Sequence, residues 1–295
     1  QARSEQTEGS DSIPEHLATE QSVDRPGQDH RFTAIGETGR FGNRPVGLRI
    51  RAGGGHHLGV MPAASATSLS ADEQLHWLAL RLTPGLGTRT AVRLIQAFRT
   101  PQAMFRASKS EIEAAGASSG LARNISSGCA FEDAASQQQR LAEVGAVLVP
   151  YSSDLYPTQL REIYDPPPVL FARGRLELLE TLSIGVVGTR HPSTYGTAVA
   201  SRLAKDLADA GLTIASGMAR GIDTAAHKAV LEAGGNTIAV FGCGVDELYP
   251  AENKKLADQI AVSGLILSDF PMGTPPYPQN FPSGTESLAG SAWGC

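Results

Sequence analysis

The sequence is poor in cysteine, in aromatic residues and in excess charge of either sign, and it has no long apolar run. Its three cysteines, Cys129, Cys243 and Cys295, lie far apart in 295 residues. None of them pairs at the spacing of a zinc or dithiol motif, and an odd count suits a reducing compartment. No apolar stretch approaches the roughly 20 residues that a membrane helix needs. The formal charge is −5, from 25 basic and 30 acidic residues. The overall balance does not advertise nucleic-acid binding, so any such site must be a local patch. Nucleotide fingerprints are also missing: no G-x-G-x-x-G opens a helix, and no G-x-x-x-x-G-K-[ST] occurs. No Ser-His-Asp, paired-carboxylate or metal constellation follows from the spacing. What remains is 41% apolar and 19% charged, an ordinary globular mixture.

That mixture is unevenly spread. Only 20 of the first 70 positions are apolar and none is lysine. Such a stretch cannot bury enough apolar surface to offset chain entropy. Residues 1–68 are therefore expected to be disordered or non-native, with Met61 a candidate start. The segment lacks the apolar core of a signal peptide. From Leu69 the pattern is helical, with Leu75, Leu78, Ala79 and Leu82 on one face. Thr83-Pro84-Gly85-Leu86-Gly87 follows, then Ala91, Leu94, Ile95 and Phe98. A helix, a glycine turn and a second helix give a helix–hairpin–helix, or SAM-like, module over residues 69–135. A weaker echo surrounds Ala115-Gly116-Ala117. Arg89 and Arg93 on the second helix admit two readings, packing or contact with a phosphate.

After Val144, short apolar strands alternate with helices. Strands are expected at Ala146–Val149, Val169–Phe171, Ile184–Val187, Leu212–Ala215, Thr237–Phe241 and Leu265–Leu267. The main helices between them are expected at Thr194–Ala210, Ile222–Ala233 and Glu252–Val262. This alternation predicts an α/β fold, a Rossmann-like doubly wound and mainly parallel sheet over residues 140–282. Ligands of such sheets bind beyond the carboxyl ends of the strands. Four loops sit there: Gly188–Ser193, Ser216–Asp223, Gly242–Asp246 running to Tyr249, and Ser268–Pro271. The first enters a helix and carries Arg190, whose forked cation fits phosphate. The second has two glycines and Arg220. Asp223 suits a helix cap, His227 polar support for the second loop, and Cys243 a small buried filler. Tyr249 suits stacking on a base.

The wording of three of these loops is specific. Gly188-Thr189-Arg190-x-Pro-Ser-x-Tyr-Gly is followed by Ser-Gly-Met-Ala-Arg-Gly-Ile-Asp-Thr-Ala-Ala-His from Ser216. Then comes Gly-Cys-Gly-Val-Asp-x-x-Tyr-Pro-x-x-Asn from Gly242. In order and spacing these strings resemble the DNA-processing DprA (Smf) family, over about residues 70 to 282. The resemblance implies a cytoplasmic protein of natural transformation that binds and protects single-stranded DNA and passes it to the RecA recombinase. It implies a homodimer through the Rossmann domain, no cofactor, no metal, no membrane association and no known enzymatic activity. The site it implies comprises Gly188, Thr189 and Arg190, with Ser216, Gly217 and Arg220, then Tyr249, and Lys254 on the rim. An alternative is a Rossmann-like hydrolase of the phosphoribohydrolase type, but its P-G-G-x-G-T loop and glutamate are not spelled. One departure follows Phe281-Pro282. The family's Arg-Asn-Arg is replaced by Ser283-Gly284-Thr285-Glu286-Ser287, as a slipped reading frame would give. Residues 283–295 are accordingly expected to be an aberrant tail on a truncated domain with an open sheet edge. An inactive fragment is the remaining alternative.

Overall fold

Ser70 opens the first helix with a reciprocal cap. Its hydroxyl accepts from the Glu73 amide at 3.2 Å, and its own amide donates to the Glu73 carboxylate at 2.8 Å. This satisfies backbone donors that a helix start leaves unpaired. The helix α1 runs over Ala71–Leu82 and buries Trp77, Leu78, Ala79 and Leu80. Its end is turned by Thr83, whose hydroxyl donates to the Ala79 carbonyl at 2.7 Å. Helix α2, Thr88–Phe98, completes the expected hairpin. Four further helices follow: α3 (Pro101–Arg106), α4 (Lys109–Ala114), α5 (Ser119–Ser127) and α6 (Phe131–Val144). This is a computed structural model, and it describes residues 69–280. The expectations for residues 1–68 and for the tail 283–295 lie outside the described residues.

The sheet contains β1 (Val147–Pro150), β2 (Val169–Gly174), β3 (Ser183–Gly185), β4 (Thr213–Ser216), β5 (Thr237–Val240) and β6 (Leu265–Ser268). Its order is β1-β2-β6-β5-β4-β3. Strands β3 to β6 are parallel, and β2 and β1 join antiparallel at the β6 side. Three crossover helices connect the parallel strands: α8 (Thr194–Asp209), α9 (Ile222–Glu232) and α10 (Lys254–Ser263). With a steady strand order, right-handed crossovers lay these three on one face. The short helix α7 (Thr158–Glu162) and a 3-10 turn at Leu176–Glu180 close the other face through Leu160, Leu178 and Leu179. Period two decides which residue faces which layer. Ile214 packs with Ala226 and Val230 of α9, while its neighbour Ala215 packs with Leu170, Ile238 and Leu267.

The domain boundary expected between residues 135 and 140 falls inside α6. This helix continues to Val144, where Gly145 ends it in a left-handed conformation. Nor are the helical module and the sheet separate bodies. Trp77, Leu94 and Leu141 share one apolar cluster with Phe171, Phe241 and Leu256. Arg81 ties the junction by donating to the Asp269 carbonyl at 3.0 and 3.3 Å. The two arginines of α2 are engaged within the chain. Arg93 donates to the Gly116 carbonyl at 2.6 Å, linking α2 to the second glycine turn. The Arg89 guanidinium stacks 4.2 Å above the Tyr164 ring. The packing reading of both residues is the one this geometry favours. At the opposite end of the sheet, β3 pairs with β4 alone among the described residues. Leu182 and Val187 beside it are 72% and 57% exposed, as an open edge requires. Among the described residues no helix is long and apolar enough to cross a membrane.

Candidate nucleic-acid interface

The carboxyl ends of β3, β4 and β5 point the same way, and their loops meet. Gly221 makes the meeting possible. Its φ of +81° is a conformation that glycine enters readily. A Cβ there would stand 2.3 Å from the Thr189 carbonyl oxygen and 2.9 Å from the Arg190 carbonyl carbon. The Ile222 amide donates to that same Thr189 carbonyl at 3.2 Å. Arg190 and Arg220 therefore leave the backbone at one place, on two loops that touch. Gly188 is equally crowded, with Ile222 side-chain carbons 2.7 to 2.9 Å from a Cβ built there.

Beneath the loops lies Asp223, buried in the first turn of α9. One carboxylate oxygen accepts from the Gly217 amide at 3.1 Å and the Ala219 amide at 3.3 Å. The Gly188 amide and the Ser216 hydroxyl also favour its charged form, yet burial outweighs them and raises its pKa. Asp223 thus cross-braces the first and second loops rather than capping the helix end. Ser216 is fully buried, and its hydroxyl donates to the Val186 carbonyl at 2.6 Å. The expectation that Ser216 and Gly217 line a groove needs correcting: both are buried, and their donors point inward to the protein. Their part is to shape the loop. The reason is chain economy, since a buried turn must satisfy its own amides before it can serve a ligand.

His227, one helical turn beyond Asp223, is also fully buried. Its Nδ1 lies 2.7 Å from the Thr237 hydroxyl, which itself donates to the Ile214 carbonyl. Burial lowers the imidazole to about 4, so it is neutral at pH 7 and supports β4 and β5 under the loop. Cys243 donates to the Glu247 carbonyl at 3.3 Å. Burial, with Glu247 and Asp246 nearby, pushes its thiol up to about 12. It is the inert filler that its surroundings suggest.

The surface of the site carries basic side chains, two of them paired with carboxylates, and an aromatic ring. Thr189 and Arg190 are exposed, and the Thr189 hydroxyl accepts from the His191 amide at 3.2 Å. Arg220 projects outward and forks onto Glu252 at 2.6 and 2.8 Å. Tyr249 is 38% exposed and close enough to Arg220 to act on its charge. Lys254, at the start of α10, pairs with Asp258 at 3.0 Å. Asn253 joins the third loop to the second. Its buried amide donates to the Met218 carbonyl at 3.0 Å and to the Thr224 hydroxyl at 2.9 Å. A groove of about 380 Å³ continues from Pro192 and Gly221 between α8 and α9, with Lys228 on its wall. Among the described residues no cluster of histidine, cysteine and acidic groups could hold a metal ion.

The structure thus brings Gly188, Thr189, Arg190 and Arg220 together, with Tyr249 and Lys254 on the neighbouring loop and helix. Nothing in the sequence pattern marks a bridging role for Asn253, and Glu252, expected to open a helix, lies instead in a 3-10 turn ahead of α10. The only signal for Asn253 was its fixed place in the Tyr-Pro-x-x-Asn string.

Comparisons with known proteins point to one family. The family model described as DNA recombination-mediator protein A matches residues 147–294. The protein Smf of Synechocystis is 37% identical over 231 residues, covering 74% of this chain and 56% of its own. DprA of Bacillus subtilis is 42% identical over 153 residues, covering 52% of each chain. The X-ray structure of DprA from Streptococcus pneumoniae superposes with a TM-score of 0.61 at 30% identity, covering 73% of each chain. The chain spans about half the length of the curated relatives it matches. The matched half of the chain carries the whole loop assembly, and the chain belongs to the DNA recombination-mediator protein A family, whose members are named DprA or Smf.

Proposed function

We propose that this protein binds single-stranded DNA at the joined loops and delivers it to the RecA recombinase during DNA uptake. The observation that carries the reading is the contact of Gly221 with Thr189 and Arg190, which sets two arginine-bearing loops side by side at the sheet's tips. Guanidinium forks fit phosphate oxygens, and Tyr249 offers a ring on which a base can stack. No base-edge readout is needed, so the binding is indifferent to sequence. Cations that neutralise phosphates release counterions from the strand, which makes the interaction strongly salt-dependent. Dimerisation and hand-over to the recombinase belong to the same proposal, and membership of the recombination-mediator family supports them.

The test is fluorescence anisotropy with labelled oligothymidine and with a duplex of equal length. Tighter binding of the single strand is expected, with affinity falling steeply as salt rises. Equal affinity for the duplex, or affinity insensitive to salt, would refute the reading.

A further inference from the structure

One of the two arginines at the loop junction already holds an anion of the protein's own. Arg220 presents Nε and Nη2 to the two carboxylate oxygens of Glu252, at 2.6 and 2.8 Å. Both side chains are about half exposed, 52% and 55%. Most other ion pairs of the described residues differ in kind. Lys254–Asp258, Arg202–Asp206 and Lys205–Asp209 each join successive turns of one helix. Arg220–Glu252 joins the second loop to the 3-10 turn at Ala251–Asn253, 32 residues away.

A carboxylate offers a guanidinium the same two-oxygen face as a phosphate. We propose that Glu252 is a built-in stand-in for phosphate: it holds the Arg220 fork ready, and a phosphate of the bound strand displaces it. Glu252 thereby sets the affinity of the site. The proposal rests on the single-strand reading above and adds a determinant to it.

Two features make the exchange feasible. An exposed ion pair contributes little to stability, so losing it is a small penalty. The neighbouring Asn253 is buried and bonded through its side chain to Met218 and Thr224, which fixes the backbone. Only the Glu252 side chain has to swing away. The fork, meanwhile, is ordered before any ligand arrives, which lowers the entropy lost on binding.

The experiment is a salt-dependent binding titration with labelled oligothymidine, using the parent, Glu252→Gln, Asp258→Asn, Arg220→Ala and the Arg220→Ala/Glu252→Gln double variant. Glu252→Gln is expected to tighten binding about two- to fivefold, the range spanned by an exposed pair. The slope of log affinity against log salt should steepen by up to about 0.7, one more net phosphate contact. Asp258→Asn removes equal charge and should do less. In the Arg220→Ala background the Glu252 effect should vanish. Unchanged or weaker binding by Glu252→Gln overturns the proposal, as does a gain equal to that of Asp258→Asn or one that persists without Arg220. Failure of the parent to bind any single strand instead removes the function reading itself, so the two failures are distinguishable.

Discussion

Asp223→Ala is expected to destabilise the fold by about 2–4 kcal/mol and to abolish measurable DNA binding. The carboxylate accepts the Gly217 and Ala219 amides, and it draws in Gly188 from the other loop. Gly217 is buried and Ala219 partly so, while Gly188 reaches solvent. A buried donor left without an acceptor costs about 1–3 kcal/mol. Two such donors dominate the loss, and water rescues the third. Asp223→Asn should fall between parent and alanine, because it keeps one acceptor oxygen but turns an NH2 group toward other donors. Urea unfolding at constant m-value measures the change. A loss under about 1 kcal/mol would mean the amides find other partners and the brace is not needed.

Gly221→Ala is expected to be nearly as damaging, by a different route. The residue has φ +81° and ψ −121°, so any side chain is strained there. The new Cβ would also overlap the Thr189 carbonyl oxygen at 2.3 Å, a backbone atom that no rotamer change can move. Backbone strain of this kind costs about 1–3 kcal/mol, and the overlap adds to it. The midpoint of thermal unfolding should fall by about 5–10 °C, given about 2–4 °C per kcal/mol for a region of this size. Gly234→Ala is the control. It also has positive φ, +71°, but no atom lies within 4 Å of the added Cβ. It should show strain alone. If the two variants melt together, close approach of the loops is not what Gly221 provides. If Gly221→Ala is the worse of the two, DNA affinity should drop with it, since the two arginines then part.

Much of this was legible in the sequence because the local signals were strong. The run Thr237–Val240 is short, apolar and β-branched at its start, and it forms a fully buried central strand. The Pro-Gly-x-Gly turn at Thr83–Gly87 could only reverse the chain. The meeting of the Gly188–Arg190 and Arg220 loops is legible because the loops after parallel strands converge at one edge of the sheet. The direction of polar groups was not legible. Ser216 and Gly217 read as ligand donors, but a turn buried under α9 spends its donors on Asp223 and Val186. That outcome depends on depth, which no spacing reports. Likewise the two readings of Arg93 stay open until the Gly116 carbonyl, 23 residues away, is brought beneath it. The Glu252 contact is invisible for the same reason, since it crosses from the second loop to the 3-10 turn. The extent of α6 is hard to read because Gln137, Gln138 and Gln139 dilute the apolar period there, while Gln137 and Gln138 bond to the distant Met272 and Ala71 carbonyls.

The most direct measurement is the affinity of Arg190→Ala for single-stranded DNA across a salt series, beside the parent. Arg190 is exposed, so the variant should keep its fold. The account predicts binding weaker by about tenfold, as for one charged hydrogen-bonding group. The slope of log affinity against log salt should be shallower by about 0.7. An Arg190→Ala protein that binds as tightly as the parent, with the same slope, would contradict the placement of the strand at these loops.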